Sequence, residues 1–383
     1  MLNILLNQSR VQSLDNNTHA FLALVRAGLW EEDVQLDSYG LIDYKDIYRL
    51  AQEQAVVGLV AAGLEHVVDV EIPHDIALLF VGETLQIEQR NKEMNSFIAR
   101  TVEVMREKDI YTILLKGQGI AQCYEKPLWR APGDIDLFLS VINYDKAKEF
   151  FKPFASRVET EFSNTKHLGM CLDKWVVELH GNLRCNLSHS INVVLDEILK
   201  KTFYEGEVRS WINNGSNIFL LSADNDILYV FTHFLNHFYK GGVGLRQICD
   251  WVRLLREYSD IINKSLLEKR LCRMGVMREW KAFGSFAVNF LGTSPNIIPM
   301  YAEEKNMEKK ASLICSYILD VGNFGHNRDS SFYTNDSYLT RKFKSFRRIC
   351  SDLFYHSKIF PMDTIKFFPY ICYKGLQAAV RRE

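Results

Sequence analysis

Two carboxylates, Asp134 and Asp136, stand two residues apart in LWRAPGDIDLFLS, residues 128–140. The run from Ile135 to Leu139 has the length and composition of a buried strand, a setting that tolerates few charges. Along a strand, side chains i and i+2 share a face about 6.6–6.8 Å apart. Both aspartates should therefore point one way, and Ile135, Leu137 and Leu139 the other way into a core. The acidic face must then open onto a cleft. Neighbouring carboxylates repel, and keeping both ionised beside an apolar wall is costly unless a cation lies between them. Mg²⁺ suits that role, because it takes a few carboxylates and completes its octahedron with water and phosphate oxygens. A solvated strand end is the plain alternative for so short a motif.

The flanking residues extend the chemistry. Upstream, TILLKGQGI places a strand before Lys116, Gly117, Gln118 and Gly119, with a helix starting at Ile120. Glycines at a strand-to-helix turn let backbone N–H groups approach phosphate oxygens, and Lys116 and Arg130 add a point charge and a forked donor. A plain turn with surface cations is the other reading. Downstream, KWVVELHGN reads as a strand with Val177 and Leu179 on one face and Val176, Glu178 and His180 on the other. If it lies beside the DID strand, Glu178 completes a three-carboxylate site. Two metals held there would clamp an attacking oxygen and a triphosphate for in-line displacement. His180 can ligate, relay a proton, touch substrate or pack.

In HFYKGGVGLRQICDWVRLL three glycines interrupt two helical patterns. Arg246 and Asp250, four apart, share a helical face. They either reach a phosphate and a ribose or base, or pair with each other at a helix corner. His233 and His237 also share a face, but with no HExxH glutamate or nearby cysteine they read as core or cleft histidines rather than zinc ligands.

In order, these parts are a strand, KG at a turn, a helix, P-x-x-R-x-x-GDID-L, and a strand ending ELHG. That order resembles the nucleotidyltransferase superfamily that includes DNA polymerase β, and more closely the bacterial family of uncharacterised nucleotidyltransferases. The matching stretches are LLKGQGIAQCYEKPLWRAPGDIDLFL, VVELHGNL and HFYKGGVGLRQICDW, with weaker similarity at HAFLALVRAGLW. The resemblance implies transfer of a nucleotidyl group from ATP or another NTP to an unidentified hydroxyl acceptor (small molecule, glycan or protein). It implies magnesium, two ions, held by Asp134, Asp136 and Glu178. The superfamily's first turn carries Gly-Ser or Gly-Gly, whereas this chain has Lys116-Gly117. That difference bears on how the triphosphate is held, and it keeps open phosphoryl transfer from the same site and a non-catalytic nucleotide-binding or antitoxin-like scaffold.

Positioning these residues requires an α+β architecture, a small mixed-sheet core flanked by helical regions. The apolar period is helical over 1–108, switches to short β-rich segments within 109–221, and returns to helical over 222–383. At 383 residues the chain is long for one core. Its 47% hydrophobic and 24% charged residues exclude a disordered chain, and a net charge of −1 gives no overall pull toward nucleic acid or membrane. Eight cysteines without CxxC or zinc spacing read as reduced thiols. With no signal-like N-terminus and no long apolar run, the expectation is a cytoplasmic protein without a transmembrane segment. Residues 339–383 carry ten Lys/Arg against three acids among many aromatics. They suit either an anionic partner or a helical hairpin with solvated charges.

Overall fold

A computed structural model describes residues 14–161, 166–325 and 338–381. Before the sheet come α1 (Asn16–Trp30), α2 (Tyr44–Glu53), α3 (Val57–Leu64) and the long α4 (His74–Arg106). The central region then runs β1 (Thr112–Leu115), α5 (Gly117–Ala121), β2 (Ile135–Leu139), α6 (Val141–Phe151), β3 (Ala155–Val158), β4 (His167–Leu172), β5 (Trp175–His180), α7 (His189–Tyr204), β6 (Val208–Asn213) and β7 (Ser216–Leu221). Seven helices follow: α8 (Ala223–Lys240), α9 (Leu245–Glu257), α10 (Lys264–Met274), α11 (Met277–Leu291), α12 (Lys305–Val321), α13 (Tyr338–Ile359) and α14 (Pro361–Arg381). The architecture is α+β, a mixed sheet with helical regions on either side of it in the chain. Among the described residues no helix is long and apolar enough to cross a membrane.

Helix starts follow side-chain chemistry. Asp15, Asp43, Ser140, Ser188 and Asn263 each accept a backbone N–H of the first turn, satisfying donors that the helix leaves orphaned. The seven-stranded sheet has the order β3-β4-β5-β2-β1-β7-β6. β2 pairs antiparallel with β1 and parallel with β5, in the register Asp136↔Glu178, and β1 pairs parallel with β7. The sheet is larger than the three strands the sequence analysis expects. The β6–β7 hairpin turns on Asn214 and Gly215, both at positive φ (48° and 84°), the conformation that a two-residue hairpin loop needs.

Both faces of β2 are covered. Ile135, Leu137 and Leu139 join a cluster with Met94 and Phe97 of α4 and Tyr144 and Phe151 of α6. Phe138 lies in a second, larger cluster that draws on residues from Ala20 to Ile371, so the helices before and after the sheet share one core. Gln54, fully buried, links them: it donates to Ile318 O and accepts from Leu245 N–H. Trp30 Nε1 donates to Leu291 O. The basic C-terminal segment forms α13 and α14, but most of its basic side chains lie outside the described residues.

α1 and α3 cross through glycines. A Cβ on Gly63 would meet Leu24 O at 2.0 Å, and one on Gly28 would meet Leu59 O at 1.9 Å. Gly63→Ala is therefore expected to lower stability by about 1–3 kcal/mol through overpacking. Gly82→Ala in α4, where a Cβ meets nothing within 4 Å, should raise it by about 0.5–1 kcal/mol through helix propensity. Urea melts of the two variants check the contrast; equal effects would mean the crossing is looser than drawn.

Candidate active site

The parallel pairing of β2 with β5 and the antiparallel pairing with β1 bring three chain segments to one end of the sheet. There Lys116, Gly117, Gly133, Asp134, Asp136 and Glu178 line a cleft of about 190 Å³, closed by His233 and His237 of α8 and Arg246 of α9. Asp136 is 5% exposed, one residue inside β2, whereas Asp134 precedes the strand and is exposed at the mouth.

Lys116 sits at φ 50°, ψ −147°, followed by Gly117 at φ 49°. A side chain in that backbone region costs about 1–3 kcal/mol and persists only where the surroundings fix it. Here the ammonium group does so: Nζ is 3.2 Å from Asp136 Oδ1 and 2.9 Å from His233 Nε2. His237 Nε2 lies 3.3 Å from His233 Nε2. Burial, reinforced by the Lys116 charge, holds His233 well below the usual histidine range, and the same causes bring His237 down to about 4. Both imidazoles are neutral at pH 7.

The carboxylates are partnered from inside the protein. His180 Nε2 is 2.8 Å from Asp136 Oδ1 and 3.5 Å from Glu178 Oε2, and His167 Nε2 is 3.0 Å from the same Glu178 oxygen. Burial alone would raise the Glu178 carboxyl, but the hydrogen bonds from His167 and His180 reverse this and hold it well below the carboxylate range. Burial works against a charge on His180 too, and bonding to Asp136 and Glu178 wins, raising it. Among the described residues Asp134 has no such partner. Desolvation at the cleft wall, then repulsion from Glu178 and Asp136, push its carboxyl up to about 6, with Lys116 and Arg246 only partly offsetting this.

Several expected ligand-contacting residues have other positions. Gln118 is buried and donates to Asn91 Oδ1 (2.7 Å), and Asn91 in turn donates to the carbonyls of Leu128 and Arg130. A Cβ on Gly119 would lie 2.6 Å from Leu220 Cδ2, so this glycine allows α5 to pack on β7. In a five-residue helix these two positions face the core, while Lys116, Gly117 and Ile120 reach the cleft. Arg130 and Asp250 form a buried two-point pair (Nε–Oδ1 and Nη2–Oδ2, both 2.7 Å), and the Tyr124 hydroxyl donates to the same Oδ1. Asp250 therefore takes Arg130 rather than Arg246, and the two line the cleft wall with their paired edges turned to each other. His180 supports Asp136 and Glu178 and is not on the cleft lining.

Arg246 does reach the cleft. Its Nη1 donates to Ala131 O and Pro132 O (3.1 and 3.0 Å), and its buried Nε has no hydrogen-bond partner among the described residues. Burial first, then Arg130, bring it down to about 10, still charged at pH 7. His167 is absent from the sequence reading. It stands opposite His180 in the antiparallel β4–β5 register, and the signal was the Asp173-Lys174 turn between two apolar runs, which folds HLGMCL back onto WVVELH.

The family model of the uncharacterised nucleotidyltransferases matches residues 41–292, which includes every residue lining the cleft. No curated protein matches the chain. Among solved structures, an antigenic nucleotidyltransferase-like protein from Paracoccidioides brasiliensis shares 12% identity, with 53% of this chain and 93% of that one covered and a TM-score of 0.31.

Proposed function

Since the chain belongs to the family of uncharacterised nucleotidyltransferases, we propose that it transfers a nucleotidyl group from a magnesium-bound NTP, ATP foremost, to a hydroxyl acceptor at the cleft over the end of β2. The observation that carries this reading is the meeting of Asp134, Asp136 and Glu178 at one cleft, where burial first and then the two acidic neighbours raise the Asp134 carboxyl to about 6. A carboxylate repelled by two others is relieved by a divalent cation, and three carboxylates facing one cleft are an oxygen donor set of the kind Mg²⁺ takes. Asp134, Asp136 and Glu178 would hold the metal, which when bound supplies charge neutralisation for the triphosphate.

The chain's own residues provide the rest. The Lys116 ammonium, fixed between Asp136 and neutral His233, presents a positive charge to a phosphate oxygen. Arg246 faces it from α9 with an unsatisfied Nε. Arg130 and Asp250 hold the loop carrying residues 128–133 against α9, so their role is to position Asp134. The neutral His233 and His237 keep the helical wall from adding positive charge that would compete with the metal.

The Lys116-Gly117 turn, in place of the superfamily's Gly-Ser, favours keeping one second reading: attack at the γ rather than the α phosphorus. Incubating the protein and MgATP with cell extract, using ATP labelled at either position, distinguishes the two. Nucleotidyl transfer puts the α label on an acceptor. Transfer of the γ label alone would replace the proposal by phosphotransfer, and no MgATP binding by calorimetry would remove both.

A further inference from the structure

We propose that His167, Glu178 and His180 form a second cation site, selective for a transition metal of the zinc class, built across the β4–β5 hairpin beside the carboxylate pair. Their ligand atoms all lie within 4.8 Å of one another. Two imidazoles and one carboxylate are a donor set that suits zinc and its neighbours rather than magnesium, which selects oxygen.

The spacing supports coordination. With zinc–ligand bonds of about 2.0–2.1 Å, the donors of a tetrahedral site lie about 3.3 Å apart. The two Nε2 atoms stand 3.0 and 3.5 Å from Glu178 Oε2, on either side of that edge length. The donors are set by backbone pairing: His167 is directly opposite His180, and Glu178 is two residues before it on the same face of β5. A strand pair holds such a group with little freedom, the preorganisation a metal site needs. The His167 and Glu178 side chains are 23% and 24% exposed, which gives an ion a way in.

Both imidazoles address Oε2 of Glu178. Glu178 also lines the cleft with Asp134 and Asp136, so one residue borders both sites. The zinc-class site stands on its donor set and holds whether or not nucleotide is the substrate.

The test uses the full chain without nucleotide, first stripped of metal and then dialysed against Zn²⁺ or Co²⁺. About one equivalent of zinc should be retained, and Co²⁺ should give the visible absorption of a tetrahedral site without the near-ultraviolet thiolate band. His167→Gln, a partly exposed position, should weaken zinc binding at least about 100-fold, with circular dichroism confirming the fold. The proposal is overturned if the wild-type chain retains no zinc, if His167→Gln binds it as tightly, or if a thiolate band shows cysteine ligation. MgATP calorimetry on the same metal-stripped sample reports on the nucleotidyltransferase reading separately, so either can fail alone.

Discussion

Asp134→Asn is expected to lower MgATP-dependent transfer by about 10³-fold, roughly 4 kcal/mol of transition-state stabilisation, and to leave the folded protein no less stable. Asn keeps the shape and removes the charge that calls for a cation. The stability half follows from linkage. The folded-state carboxyl sits at about 6 against an ordinary 3.8, so in this window the folded chain holds more protons than the unfolded one. The stability associated with protonated Asp134 is full below pH 3.8 and is lost as pH rises to about 6. Asn carries no such loss. Above pH 6 it should match or exceed the wild type by less than about 1 kcal/mol, because the side chain is solvent-screened, and near pH 3 the difference should vanish. Asp136→Asn behaves otherwise, since it strips Lys116 and His180 of a buried partner and mixes lost folding with lost binding. Unchanged MgATP affinity in Asp134→Asn, by calorimetry at pH 7.5, would take Asp134 out of the site.

Asp250→Asn is expected to cost about 3–5 kcal/mol of folding stability, because it leaves the Arg130 guanidinium buried with half its fork unmet. Arg130 and Asp250 have side chains only 6% and 5% exposed, so water does not replace the lost partner. Arg130→Met should cost a similar amount. The double replacement Arg130→Met with Asp250→Leu should recover most of the loss, since a desolvated ion pair is worth little more than well-packed apolar side chains of the same volume. Urea melts of these variants and of Asp250→Leu alone give the cycle. If Asp250→Asn instead melted within about 0.5 kcal/mol of the wild type and lost only nucleotide affinity, the pair would belong to ligand binding after all.

The aspartates and Glu178 were legible because strand alternation is a strict rule. Once Ile135, Leu137 and Leu139 are assigned to a core, the acidic face is fixed, and the parallel register of β5 carries Glu178 to Asp136. The helical flanks were legible from their 3.6-residue period. What failed were contacts between segments far apart in sequence. Nothing in LRQICDW says that Asp250 will meet Arg130, 120 residues away, rather than Arg246 one turn back. Gln118 and Gly119 read as ligand-facing because the phase of a five-residue helix cannot be inferred from its residues. The β6–β7 hairpin and the β4–β5 turn were missed although Asn214-Gly215 and Asp173-Lys174 mark them, and with the second went His167.

The joining of Gln54 to Ile318 and of Trp30 to Leu291 bears on how the chain is made. These contacts span 264 and 261 residues. At about 5–20 residues per second of synthesis, α1 and α2 leave the ribosome roughly 13–50 s before their partners exist. During that interval the apolar sides of these helices have only each other and α3. The glycine crossing of α1 on α3, Gly63 against Leu24 and Gly28 against Leu59, is a contact the nascent segment can complete alone. The faces reserved for α11 and α12 stay open to water until the last third of the chain arrives, and those faces are what a holding chaperone would meet.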